Sequence, residues 1–182
     1  EHGITLTGTL PAGVTVTTDG NTATNAGSYT AAATFALADG YSGTDYEITG
    51  VDKTTLTRTG DWSIAPADVP GTDAQRQVRY TNTDTQTLTA ADFGIEMPGY
   101  WQVDGTTDDR QILAGESADG ESADGESVSF ALKPGLTFNS QSASIAVTFF
   151  PEDVNYRSAS FIVTVTLLDK AAPVLTLDAD KT

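Results

Sequence analysis

Two stretches decide the fold: Ser28-Tyr29-Thr30-Ala31-Ala32-Ala33-Thr34-Phe35 in the first half of the chain, and Ala143-Ser144-Ile145-Ala146-Val147-Thr148-Phe149 in the second. In the first, Tyr29, Ala31, Ala33 and Phe35 share one side, and Thr30, Ala32 and Thr34 the other. A period of two is that of a β-strand with one side on a core. Similar turns precede both stretches, Leu10-Pro11-Ala12-Gly13-Val14-Thr15 and Leu132-Lys133-Pro134-Gly135-Leu136-Thr137. A tyrosine-bearing loop follows each, and then a closing strand: Trp62-Ser63-Ile64-Ala65-Pro66 in one copy, Val165-Thr166-Leu167-Leu168-Asp169-Lys170 in the other. Duplicated, Thr-rich, alternating strands predict an array of small β-domains.

The same alternation recurs elsewhere. Ile4 and Leu6 alternate with threonines, as do Val14 and Val16, and Phe161, Val163, Val165 and Leu167 form a further apolar side. Trp62 alternates with Ile64 and Trp101 with Val103, which predicts both tryptophans in cores and Tyr100 on the opposite side. No segment has a convincing helical period; Ala90–Phe93 could form at most one helical turn. Asp19-Gly20-Asn21, Asn25-Ala26-Gly27, Asp39-Gly40 and Pro98-Gly99 are turn formers. Short strands at this spacing predict an all-β sandwich of two facing sheets.

Pro66, Pro70 and Gly71 interrupt the pattern just after the Trp62 strand, and Asp169–Pro173 interrupts it again. The predicted organisation is a smaller domain over 1–67 that lacks its first strand, a sandwich over 68–170, and the start of a further repeat or a tail over 171–182. In that last piece Val174-Leu175-Thr176-Leu177 reads as the first strand of another unit. Residues 115–127 repeat Gly-Glu-Ser, are acidic and lack apolar anchors, so a mobile loop is expected there. A chain opening on Glu1-His2-Gly3 reads as a piece of a longer protein.

The chain has 182 residues, of which 25 are acidic and 9 basic, for a formal charge of −16. Such a field repels phosphate backbones and anionic lipid, so neither nucleic acid nor a membrane surface is an expected partner. No apolar run approaches the roughly 20 residues of a membrane span. There is no cysteine, which excludes disulfide and thiol chemistry. Negative charge along exposed sheet edges discourages self-association, and a monomer is expected.

No constellation points to catalysis. The single histidine, His2, stands at the chain end, where a general base cannot be held with the required precision. No Gly-x-Ser-x-Gly elbow is present, and in so acidic a chain paired carboxylates arise by chance. The chain is therefore read as not an enzyme. No cofactor is expected; structural calcium is the alternative considered. Its oxygens could come from Asp104, Asp108 and Asp109, from Asp119, Glu121, Asp124 and Glu126, or from Asp68 and Asp73. None of these follows the Asp-x-Asp-x-Asp-Gly spacing. Lys53, Lys133, Lys170 and Lys181 were weighed for a buried Lys–Asn crosslink, and none lies centrally in an apolar alternation. Tyr41, Tyr46, Tyr100 and Trp101 are the candidate ligand-binding residues, as a sugar-stacking platform; the competing reading of Trp101 is core.

Asn25-Ala26-Gly27-Ser28-Tyr29-Thr30 through Phe35, with its Tyr loop and Trp62-Ser63-Ile64-Ala65-Pro66, resembles the bacterial Ig-like repeats of large surface proteins. Gln86-Thr87-Leu88-Thr89-Ala90-Ala91-Asp92-Phe93-Gly94, Asn155-Tyr156 and Phe161–Thr166 resemble a related repeat, and Asp169–Pro173 an inter-repeat junction. The acidic insertion at 115–127 departs from the family pattern. The resemblance implies tandem Ig-like β-sandwich domains in an extracellular setting, secreted or on a bacterial cell surface or wall. It implies a non-catalytic spacer or stalk, with a contribution to adhesion, whose partners are neighbouring repeats and host or cell-wall glycan or protein. The alternative is a carbohydrate- or protein-binding module using end loops. Fold-level likeness does not itself supply a ligand.

Overall fold

Alternation in the sequence becomes alternation in burial along nearly every strand. A computed structural model describes residues 1–41, 49, 56–106, 112–114, 125–138 and 142–169. Tyr46, Lys53, residues 115–124 of the acidic stretch and the tail 171–182 lie outside the described residues. The chain is all-β: among the described residues there are strands and a single 3-10 turn, and no α-helix. It divides into two compact units, one of Glu1–Ala67 with Val154–Tyr156, the other of Asp68–Asp153 with Arg157–Thr182.

Unit 1 contains β1 (His2–Gly3), β2 (Val14–Asp19), β3 (Thr22–Ala23), β4 (Gly27–Leu37) and β5 (Thr57–Ile64). β2, β4 and β5 form a three-stranded antiparallel sheet with β4 central, and β1 pairs with β3. The turn from β2 to β3 needs Gly20, whose φ of +63° is left-handed. The Thr30 carbonyl oxygen also occupies the space a Cβ would take there. The register sets Val16 opposite Phe35, Ala33 opposite Arg58 and Tyr29 opposite Trp62. Hydroxyls line the other side, where Thr30 donates to the Asp61 carboxylate at 2.7 Å and the Thr34 and Thr57 hydroxyls lie 3.2 Å apart. Asn155 belongs to this unit: its side-chain oxygen accepts the Ala26 N–H and its carbonyl accepts the Ala67 N–H, both at 2.7 Å.

On the apolar side of this sheet only Ala31 and Ala33 are buried. Val14, Val16, Phe35 and Trp62 are half-buried. Trp62 thus departs from its expected place in a core. The ring keeps part of its surface in solvent, so alternation alone could not place it in a core.

Unit 2 has the complete arrangement. Its strands are β7 (Ala74–Arg79), β8 (Gln86–Thr89), β9 (Gly99–Thr106), β10 (Leu113–Ala114), β11 (Ser127–Leu132), β12 (Ser142–Pro151) and β14 (Ala159–Leu168). The short β6 (Ala67–Asp68) pairs with β13 (Tyr156–Arg157). One sheet runs β7-β14-β12-β9 and the other β10-β11-β8. Within these two sheets every pairing is antiparallel except β7 with β14, which is parallel over six residue pairs from Ala74–Val163 to Arg79–Leu168.

The inward positions make one core. Ala143, Ile145, Val147 and Phe149 on β12 and Phe161, Val163, Val165 and Leu167 on β14 are buried, as are Val128, Phe130 and Leu132 on β11. A 3-10 turn over Ala90–Phe93 inserts Phe93 among them. The Asp92 carboxylate holds the start of that turn by accepting the Thr89 N–H at 2.8 Å, and Gly94 closes it at φ +73°. The β9–β12 ladder shifts register between Ala146 and Val147, which leaves Asp104 as the extra residue of a β-bulge.

Candidate functional site

The aromatic residues singled out from the sequence fall in different environments. Trp101 is 1% exposed and lies against Phe93 at 4.2 Å and Phe149 at 4.9 Å between ring centroids. Its faces are occupied by the core, as its alternation with Val103 suggested. Tyr100, on the other side of β9, is 43% exposed. Its ring is nearly parallel to that of its cross-strand partner Phe150, at 8° and 4.9 Å. Stacking on Phe150 covers one face of the Tyr100 ring. The rings therefore stand beside each other instead of forming a flat pair of platforms. Tyr41 belongs to unit 1, is 43% exposed and lies against Gly13. Tyr46 lies outside the described residues.

Beside Tyr100 the outer side of the four-stranded sheet is polar. Gln102, Thr148 and Ser160 align across β9, β12 and β14. The Thr148 hydroxyl donates to Asp104 at 2.6 Å and lies 3.1 Å from the Ser160 hydroxyl. The bulge turns the Asp104 carboxylate toward this row.

Sequence reading missed a second aromatic pair. Tyr29 and Trp62 face each other across β4 and β5, with centroids 5.0 Å apart. The Tyr29 hydroxyl donates to the Asn25 carbonyl at 2.7 Å and the Trp62 Nε1–H to the Gly20 carbonyl at 3.0 Å. The chain's own turns thus take up both polar ends. The cross-strand register, which requires knowing which strands pair, is the signal that would have found this pair.

The apolar side of unit 1 holds a cavity of about 140 Å³ lined by Ile4, Leu6, Ala31, Ala33, Arg58 and Gly60 among others. Pockets for drug-sized molecules are about 300–1,000 Å³. This one matches a few aliphatic side chains.

Three of the carboxylates considered for calcium, Asp68, Asp73 and Asp104, are engaged by the protein. The Asp73 carboxylate accepts the Ile162 N–H at 2.8 Å, and Asp68 pairs with Arg157. Asp108, Asp109, Asp119, Glu121 and Asp124 lie outside the described residues, and Glu126 is exposed. Among the described residues no three His, Asp or Glu side chains are grouped to hold a metal, and no helix is long and apolar enough to cross a membrane. His2 is an exposed residue of β1. Of the lysines weighed for a crosslink, Lys133 alone is described, and its backbone N–H donates to Ile112.

The Arg157 guanidinium, first by its hydrogen bond and then by its charge, holds the Asp68 carboxyl below its ordinary range. The same contact raises Arg157. A depressed folded-state pKa adds stability at pH values above the ordinary carboxylate pKa, and that stability is lost as pH falls through the depressed value. Both groups are exposed, so solvent screens the pair and the effect is small. The expected result for Asp68→Asn is a slightly lower melting temperature at pH 7 and a smaller difference as the pH falls to 2. The check is calorimetry at both pH values, with and without added salt.

Compared with known proteins, the chain matches no family model and no curated protein.

Proposed function

We propose that this chain is a non-catalytic spacer segment of a secreted or surface-attached bacterial protein, built from Ig-like β-domains strung end to end. The observation that carries this reading is the parallel pairing of β7 with β14. Parallel first and last strands mean that the chain comes into unit 2 at one end of the sandwich and leaves at the other. Tension applied through the chain then runs along β7 and β14 in opposite senses. It loads the evenly spaced ladder bonds together, in shear, instead of one at a time.

Sheet order supports the Ig-like assignment. A four-stranded sheet carrying both terminal strands, facing a three-stranded one, is close to the seven-stranded immunoglobulin plan. Thr-rich outer sides keep the sheets solvated, and the charge of −16 opposes aggregation and contact with anionic polymers. Neighbouring repeats are the partners of such a segment.

The test is mechanical. Stretched by its two ends, the chain should lengthen with one distinct unfolding step from unit 2, releasing about 3.6 Å for each residue freed. Gradual extension with no distinct step would contradict a load-bearing spacer.

A further inference from the structure

Two short motifs far apart in the sequence, Asn25-Ala26-Gly27 and Asn155-Tyr156, meet in unit 1. Ala26 and Asn155 are 129 positions apart, yet the Ala26 N–H donates to the Asn155 side-chain oxygen at 2.7 Å in a partly buried setting. The Ala67 N–H donates to the Asn155 carbonyl at 2.7 Å, and the Asn155 amide approaches the Asn25 side-chain oxygen at 3.5 Å. Ala26 immediately precedes β4, and Ala67 lies just past the end of β5. Gly27 and Ile64 are the last pair of the β4–β5 ladder on that side. A single residue therefore fastens both strands at the place where their ladder ends and where strands fray most readily.

The Asn25-Ala26-Gly27 turn has a second tether, the Tyr29 hydroxyl, which donates to the Asn25 carbonyl at 2.7 Å. That bond can form within Glu1–Ala67. The bonds to Asn155 cannot, because Asn155 is delivered by the turn that follows β12 and precedes β14, whose ladder reaches Phe149–Ala159. Domains generally fold as units, the N-terminal one first. Here the N-terminal unit lacks a piece until the last hairpin of the chain exists.

We infer that Val154–Tyr156 is a strap whose docking completes unit 1, so that unit 1 reaches its full stability only after the β12–β14 hairpin has formed and loosens whenever that hairpin opens. The dependence is transmitted by the chain itself. Parting β12 from β14 frees the residues on both sides of the strap and leaves Asn155 without a fixed position. The inference stands apart from the spacer role.

Residue-resolved hydrogen exchange of the full chain at pH 7.5 tests it. Asn155→Ala takes the acceptor from the Ala26 N–H, so the amides of Ala26, β4 and β5 should exchange about fivefold faster or more. The amides of β12 and β14 should keep their wild-type rates. Asn155→Asp retains an acceptor and should restore most of the protection. Val154→Ala, at a side chain 63% exposed, should change nothing. Val163→Asp reads the dependence on the hairpin, since Val163 is buried on β14. Once its β12 and β14 amides exchange freely, those of β4 and β5 should have lost at least as much protection as in Asn155→Ala. Wild-type protection of β4 and β5 in Asn155→Ala, or in Val163→Asp with its hairpin open, overturns the proposal. So does an Asn155→Asp variant as unprotected as Asn155→Ala, or an Asn155→Ala variant that loses as much protection in β12 and β14 as in β4 and β5.

Discussion

Trp101→Ala should lower the melting temperature of unit 2 by roughly 12–40 °C. The side chain is 1% exposed and touches Phe93, Phe149 and Phe161, drawn from the 3-10 turn, β12 and β14. Removing a buried tryptophan costs about 3–5 kcal/mol, because the transfer free energy is lost and a cavity remains. For a domain of about 100 residues each kcal/mol moves the midpoint by about 4–8 °C. Trp101→Phe separates the contributions. The indole Nε1 is buried without a hydrogen-bond partner among the described residues, so phenylalanine forfeits volume and none of the hydrogen bonds described. Its cost should be less than half that of alanine. Trp62→Ala supplies the contrast, since Trp62 is only half-buried; its effect should fall well below that of Trp101→Ala. Calorimetry of the three variants checks the ranking, and equal losses at the two tryptophans would contradict the difference drawn between the units.

Val163→Asp should be more damaging and should depend on pH. Val163 is fully buried on β14, between Ile145 of β12 and Ala74 of β7 in the ladder. A carboxyl placed there loses its hydration, and burial can raise such a pKa by about 3 units or more. At about 1.36 kcal/mol per unit this amounts to roughly 4 kcal/mol at pH 7. The lost valine burial adds about 1.5–3 kcal/mol. The two together are comparable to the whole stability of a typical domain, about 5–15 kcal/mol. The sign follows from linkage. A raised folded-state pKa costs nothing below the ordinary carboxylate value, and the penalty grows as pH climbs toward the raised one. The variant should therefore be largely unfolded in unit 2 at pH 7.5 and recover part of its structure near pH 4.5. Circular dichroism followed against pH, with wild type alongside, measures the recovery; a loss independent of pH would mean that the carboxyl is not desolvated.

How far the sequence could be read depended on what each signal measures. Alternation identified the sides of β4 and β14 because it reports a local period. The same rule placed Trp101 inward and Tyr100 outward, as observed. It overestimated Trp62, because burial also requires something opposite, and pattern within a strand carries no information about the facing layer. β7 was not legible as a strand of the core sheet. Its sequence Ala74-Gln75-Arg76-Gln77-Val78-Arg79 puts an arginine at an inward position, where Arg76 is half-buried and donates to the Thr87 carbonyl at 3.0 Å. The bulge at Asp104 was hidden for a related reason, since a register shift belongs to two strands at once. Of the four aromatics proposed for ligand binding, spacing gave the side of the strand for Tyr100 and Trp101. It could not tell that Phe150 would cover one face of Tyr100.

Pulling unit 2 in two directions tests the central claim most directly. With no cysteine in the chain, Thr72→Cys with Asp169→Cys gives handles that load β7 and β14 in shear. Ser142→Cys with Asp169→Cys gives handles at one end of the antiparallel β12–β14 pair, where bonds open one after another. The account requires a markedly higher unfolding force for the first pair of handles than for the second. Equal forces, or a lower force along the chain direction, would contradict it.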